Sequence, residues 1–313
     1  MKKLSLFGFI AVFAVLFTSC SDDDKKTDNS ISGIASRTED LSLLVKALDK
    51  AGLVETLKTG NYTVFAPTND AFIEAGYDEA AIANLPASGV PALRELLLNH
   101  VVNGKNLSSA LSNNMYVKTL GKGAASAANT LSMHIGVTGS GATTVVTLNG
   151  GAEVITADVE ASNGVVHIVD EVIGLPTVVT HALANSNFSQ LVELLSAQGL
   201  VPTLNGTASS PFTVFAPVNS AFTPAVLGVY TGLATSDLRT QVLTYHVVGG
   251  ANVLANAIPS GNILTLQGES FTITGTAIND AGTTTNKNII LTDVQCSNGV
   301  IHAIDGVLLP AFN

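Results

Sequence analysis

The decapeptide TVFAPTNDAF at 63–72 returns as TVFAPVNSAF at 213–222, with eight of ten letters identical. A repeat this close constrains the chain to two copies of one fold. The flanks extend the duplication. DLSLLVKALDKAGLVETL (40–57) answers to NFSQLVELLSAQGLVPTL (187–204), LRELLLNHVV (93–102) to RTQVLTYHVV (239–248), and NGVVHIVDEVIGLP (163–176) to NGVIHAIDGVLLP (298–310). The offset between copies runs 147, 150, 146 and 135, so length changes fall between the landmarks, as they do in loops. The reading is two domains, 31–176 and 177–313, joined near Thr177–Thr180 just after Pro176.

Each copy starts helical and ends alternating. Leu41, Leu44, Val45 and Leu48, and their counterparts Phe188, Leu191, Val192 and Leu195, have helical spacing. Ser36 to Glu39 has capping-box form before the first of these helices, and Gly52 and Gly199 close both. MYVKTL, TLSMHIGV, TTVVTLN and EVITADVEA in the first copy read as strands, as do NILTL, SFTITG, TAIND and NIILTDV in the second. Asn149-Gly150, Asn163-Gly164 and Asn298-Gly299 mark turns. Each domain is therefore expected to be α+β, with the early strand YTVFA returning to a later sheet. In the duplicated decapeptide, Val64 and Val214 face one side of a strand while Phe65 and Phe215 face the other. Pro67 and Pro217 end it, Asn69 and Asn219 are expected to bond local backbone, and Phe72 and Phe222 to fold back as core anchors.

The order TVFAPTNxAF, then YHVV, then NGVIHxID…LP resembles the fasciclin domain, over 31–176 and 177–313. The resemblance implies a β-rich wedge of two small sheets packed with several short helices. It also implies tandem copies outside cells and a role in adhesion or matrix contact, without catalysis. In animal matrix proteins similar to this family, an Asp-Ile pair near the last landmark and a Tyr-His motif are proposed to contact partners. The matching positions are Asp158-Val159, Asp293-Val294 and Tyr245-His246, while Asn99-His100 lacks the Tyr. The alternative reading of these residues is that they end strands and pack the core. In that reading the variable loops 121–130 and 279–287 would carry binding.

The N-terminus has its own logic. Lys2 and Lys3 precede the apolar run LFGFIAVFAVLF, which is short for a membrane span and reads as a signal segment. FTSC resembles the lipobox of bacterial lipoproteins, which makes Cys20 the expected lipidated terminus after a signal at 1–19. Asp22, Asp23 and Asp24, within an acidic tether 20–30, resemble the export signal of Bacteroidetes-type lipoproteins. That places the protein on the outer face of the outer membrane, held by its N-terminal lipid.

The remaining chemistry is sparse. A formal charge of −10 with no basic stripe excludes a nucleic-acid partner. His100 and His246 lie on the apolar face of a helix, and His167 and His302 lie within buried strands. No HExxH or CxxC accompanies them and no third ligand recurs, so they read as core histidines bonded to backbone, with no metal or cofactor. His134 and His181 do not recur. Cys296 stands where the first copy has Ala161 and behaves as a small hydrophobe. GxSxG, P-loop and dinucleotide motifs are missing. Glu160 and Glu171 become Gln295 and Gly306 in the second copy, which argues against a carboxylate pair for acid–base work. The expected function is adhesion or binding of a protein or polysaccharide outside the cell. A glycan-binding accessory lipoprotein is the alternative. It would have to use Tyr62, Tyr77, Tyr116 or Tyr230 as platforms, since the chain has no Trp.

Overall fold

A computed structural model describes residues 28–206 and 208–312. The signal segment and Cys20 lie outside the described residues. Among the described residues, six helices and seven strands make up the first domain. The helices are α1 (Ile31–Arg37), α2 (Ser42–Lys50), α3 (Val54–Thr59), α4 (Asn69–Glu74), α5 (Glu79–Ala83) and α6 (Val90–Leu98). The strands are β1 (Tyr62–Pro67), β2 (Val101–Asn103), β3 (Met115–Gly123), β4 (Ser126–Thr138), β5 (Val145–Leu148), β6 (Val154–Ala161) and β7 (Gly164–Val169). The second domain follows with α7 (Val178–Ala184), α8 (Ser189–Ala197), α9 (Val201–Asn205), α10 (Pro224–Gly232) and α11 (Ser236–Thr244). Its strands are β8 (Phe212–Pro217), β9 (Val247–Gly249), β10 (Gly261–Leu264), β11 (Ser270–Thr274), β12 (Ala277–Asn279), β13 (Lys287–Cys296) and β14 (Gly299–Ile304).

The duplicated decapeptide supplies an inner strand of each sheet. β1 pairs parallel with β7, from Tyr62↔Gly164 to Pro67↔Val169, and β8 pairs parallel with β14, from Phe212↔Gly299 to Pro217↔Ile304. A parallel pair is covered on both faces, which is why these strands read as nearly unbroken apolar runs. The strand order is β5-β4-β3-β2-β1-β7-β6 in one domain and β10-β11-β12-β13-β14-β8-β9 in the other. Alternation then gives each domain two cores. Val64 and Phe72 pack with the helices, while Phe65 packs with Met133, Ile135 and Leu148 between the two parts of the sheet. Val214 and Phe222 repeat the first arrangement, and Phe215 with Phe271 repeats the second.

Close approach explains the glycine after each turn. A Cβ on Gly164, whose φ is +149°, would lie 1.9 Å from the Tyr62 carbonyl oxygen, and one on Gly299 would lie 2.3 Å from that of Phe212. The asparagine before it does more than turn the chain. Asn163 Oδ1 accepts from Ile31 N (2.8 Å) at the start of α1, and its Nδ2 donates to the Leu57 (2.8 Å) and Gly60 (2.6 Å) carbonyls at the end of α3. Asn298 does the same for Val178 N (2.9 Å) and Leu204 O (2.8 Å).

Two local expectations are corrected. Ser36 lies inside α1, where its hydroxyl donates to Ser32 O, and forms no capping box. Nor do Asn69 and Asn219 bond local backbone. Asn69 Oδ1 accepts from Leu43 N (2.9 Å) and its Nδ2 donates to Glu39 O (3.0 Å). Asn219 repeats this with Gln190 N (3.0 Å) and Ser186 O (2.8 Å). The start of α2 or α8 is thus capped from about 30 residues away, by the residue that follows the central strand.

The domains meet along one seam, where β3, β4 and the turn between them lie against β13 and α7. Lys118 Nζ donates to Asp293 O (2.7 Å), Gln295 N to Ser132 Oγ (3.0 Å), Ala125 N to Ser297 O (2.9 Å) and Asn185 Nδ2 to Tyr116 Oη (3.1 Å).

Candidate functional site

Asp158 and Asp293 sit at equivalent bulges in β6 and β13, each with φ of +61°. A non-glycine residue in the left-handed region needs local support. Both have the same support. The Asp158 amide donates to His167 Nδ1 (3.2 Å), and His167 Nε2 donates to Asn106 O (2.9 Å). The Asp293 amide donates to His302 Nδ1 (3.4 Å), and His302 Nε2 donates to Val253 O (2.9 Å). In both imidazoles Nδ1 accepts and Nε2 donates. Each ring also lies against the central strand's phenylalanine, Phe65 at 5.4 Å and Phe215 at 5.5 Å between centroids.

The carboxylates complete the bulge. Asp158 accepts from Ser108 N (2.8 Å) and Ser108 Oγ (2.5 Å), and Asp293 accepts from Ala255 N (2.8 Å), in each case capping a short 3₁₀ turn. Partial burial raises the Asp158 carboxyl, but the Ser108 hydroxyl and amide, then His167 and Lys105, more than offset this and hold it below the usual range. The side chains keep 37% and 35% of their surface exposed. Each Asp is therefore a structural cap with one open side.

The flanking pair differs between copies. Lys105 and Glu160 form an exposed ion pair at 2.5 Å beside Asp158. At the matching positions Asn252 and Gln295 exchange amide hydrogen bonds at 3.1 and 3.0 Å. Gln295 is buried because its strand carries the seam with the first domain. Charges at that place would be desolvated, and a neutral amide pair avoids the penalty. The domain 1 strand end is thus open and charged, while the domain 2 strand end is half-covered by its neighbour.

Several expected contact residues are not accessible. Tyr245, His246 and Val294 are buried, and Val159 packs its side chain on the core. Tyr245 Oη donates to Ser270 O (2.9 Å), so the Tyr-His motif ties helix to sheet. His246 Nδ1 donates to Val242 O (2.8 Å) and its Nε2 accepts from Leu308 N (2.9 Å). His100 repeats this with Leu96 O (2.8 Å) and Ile173 N (2.8 Å). Of the possible aromatic platforms, Tyr230 is buried and Tyr116 is packed in the seam, which removes both from glycan stacking.

The variable loops are structural too. Residues 121–130 lengthen the β3–β4 hairpin into an arm whose Ala125 bonds Ser297 of the other domain. In 279–287, Lys287 Nζ lies 2.6 Å from a buried Asp280 carboxylate, which also accepts from Thr283 N (2.9 Å) and Leu309 N (2.9 Å). No motif or periodicity marks the feature that remains accessible in both copies. Ile155 and Ile290, each 55% exposed, stand at the same position three residues before the bulged Asp. Among the described residues no group of three or more His, Cys, Asp or Glu could hold a metal ion, and no helix is long and apolar enough to cross a membrane.

Comparison with known proteins agrees with this geometry. The Fasciclin domain family matches residues 39–176 and 186–310. Protein sll1483 of Synechocystis sp. is 41% identical over 138 residues, covering 43% of this chain and 73% of that protein. Human periostin is 28% identical over 256 residues, covering 80% of this chain and 28% of its own length. A solved domain pair from the insect cell adhesion molecule Fasciclin I superposes with a TM-score of 0.53 at 22% identity, covering 85% of this chain and 95% of that one. With the family match covering most of both repeats through the final strand, the chain belongs to the fasciclin domain family.

Proposed function

We propose that the protein is a non-catalytic adhesion lipoprotein, anchored through Cys20 on the outer face of the outer membrane, which binds an extracellular protein with its domain 1 strand end. The observation that carries this reading is the paired exposure of Ile155 and Ile290. Single exposed aliphatics are ordinary on a protein surface, and what sets this pair apart is its recurrence at one position in both copies. Further along the same strand the ion pair Lys105–Glu160 and the open side of Asp158 supply polar contacts. An apolar centre with a charged rim suits a protein surface better than a sugar. Ile155 and Ile290 are equally exposed, and domain 1 is favoured because it keeps the exposed charged pair where domain 2 has the buried Gln295.

The test is an array of matrix proteins and polysaccharides probed with the mature chain and with Ile155→Ser and Asp158→Ala variants. Ile155→Ser is expected to weaken capture of a protein ligand at least tenfold with an unchanged melt. Unchanged capture by both variants, or capture of polysaccharide alone, would refute the assignment. Protease treatment of intact cells tests the location, since full protection there is incompatible with a surface protein.

A further inference from the structure

His134 and His181, the two histidines without counterparts, meet in the seam. They flank one ring: Tyr116 lies 5.2 Å from His134 at 66° and 5.4 Å from His181 at 76°. His134 and Tyr116 are cross-strand partners in domain 1, whereas His181 comes from α7 of domain 2. Both histidines are buried. His134 Nε2 donates to Asn114 Oδ1 (3.2 Å), and Asn114 in turn donates to Ser186 Oγ (3.2 Å) across the seam. His134 Nδ1 and both nitrogens of His181 have no hydrogen-bond partner.

Among the described residues no ion pair joins either ring to a carboxylate, and the Ser132 and Gln295 backbone alone favours a charged His181. From β3, Lys118 presents an ammonium that reaches Asp293 O and Ser132 Oγ. From β13, Cys296 presents a thiol whose ionisation burial suppresses, and the Asp293 carboxylate is engaged by Ala255 N; burial lowers the Lys118 ammonium below its ordinary range, with Asp293 only partly opposing. From α7 no other ionisable side chain is present. Burial, followed by the charge that His134 would carry, keeps His181 at about 3, with the Ser132 and Gln295 backbone opposing and Lys118 adding to the depression. Burial keeps His134 at about 4. The corresponding positions in the other copy are occupied by Thr272, paired across from Asn262, and by Ile34, the fourth residue of α1. Neither titrates, so the device belongs to the seam and not to the domain.

We propose that the seam is an acid-opened hinge, in which neutral His134 and His181 let the two domains pack and their protonation favours a separated state with each domain still folded. In the separated state both rings return to water and titrate near 6.5. Below that value each histidine lowers the closed-to-open ratio by about tenfold per pH unit. At pH 5 the two together lower it by about a thousandfold relative to neutral pH.

Small-angle scattering of the mature protein, read alongside far-ultraviolet circular dichroism from pH 7.5 to 4.5, tests the proposal. The expected result is a rise in radius of gyration, complete before ellipticity falls. A His134→Thr, His181→Ile variant, carrying the residues of the other copy, is expected to stay closed over that range. A radius that changes only together with ellipticity, or a variant that opens at the wild-type pH, would overturn the hinge. Should the variant not fold, the wild-type imidazole NMR signals decide. Signals of His134 and His181 that titrate together with the scattering change support the proposal, and rings that stay neutral through it refute it.

Discussion

His100 offers the sharpest test of how the repeated histidines hold the fold. Its Nδ1–H donates to the Leu96 carbonyl, one of the orphan acceptors at the end of α6, while His100 N bonds to Leu97 O. Its Nε2 accepts from Ile173 N on the segment after β7. Both nitrogens are used, so the ring has no place for a second proton, and burial lowers its pKa to about 4 despite the Leu96 bond. His100→Phe keeps an aromatic ring, slightly larger, but orphans one carbonyl and one amide, each costing about 1–3 kcal/mol, or about 2–6 kcal/mol together. The variant also loses a pH dependence. A folded value near 4 against an ordinary 6.5 means stability that is full above pH 6.5 and disappears as pH falls toward 4, worth about 3 kcal/mol. Urea unfolding at several pH values should show a gap between wild type and variant that is largest at pH 7.5 and about 3 kcal/mol smaller at pH 4. The other histidines are common to both proteins and cancel in the comparison. A gap that does not change with pH would refute a neutral, doubly bonded His100.

Two further perturbations read the polar clamps. Asp280→Ala strands Lys287 in a buried site and should cost about 3–5 kcal/mol in domain 2, while Asp280→Leu with Lys287→Met should recover most of it; equal melts for the single and paired variants would contradict the ion pair. Asn69→Ala removes the distant cap from α2 and should lower stability by about 0.5–2 kcal/mol, and a melt unchanged from wild type would show that α2 starts without it.

The apolar half of the fold was legible because burial follows period. The run VVHIV announced a strand covered on both faces, and the alternation in TVFAP was enough to assign Val64 to one core and Phe65 to the other. Polar landmarks were visible only as letters. Asn69, Asn163 and His100 recur as faithfully as the phenylalanines, yet each acts on backbone between 4 and 132 residues away, and no local pattern encodes that reach. The same limit hid the seam. Lys118, Tyr116, His134 and His181 show no periodic or motif signal, since what joins them is a contact between copies that were aligned only with each other.

That seam also explains why the two copies diverged where they did. A duplication starts with equal surfaces, and packing one copy on the other makes them unequal. The face that domain 1 turns to its partner acquired a longer hairpin and Lys118, where domain 2 has the exposed Leu264 in the same register opposite Ser270. The strand end that domain 2 contributes is uncharged, with Asn252 and Gln295 where domain 1 has Lys105 and Glu160. Burial selects neutral, mutually bonded groups, and exposure permits charge. The pairing of residues across copies therefore reports which surface is shut inside the molecule and which is left to meet a partner. By that criterion the strand end of domain 1, with Asp158 and the Lys105–Glu160 pair further along β6 from Ile155, is the surface on which recognition by this protein should be sought first.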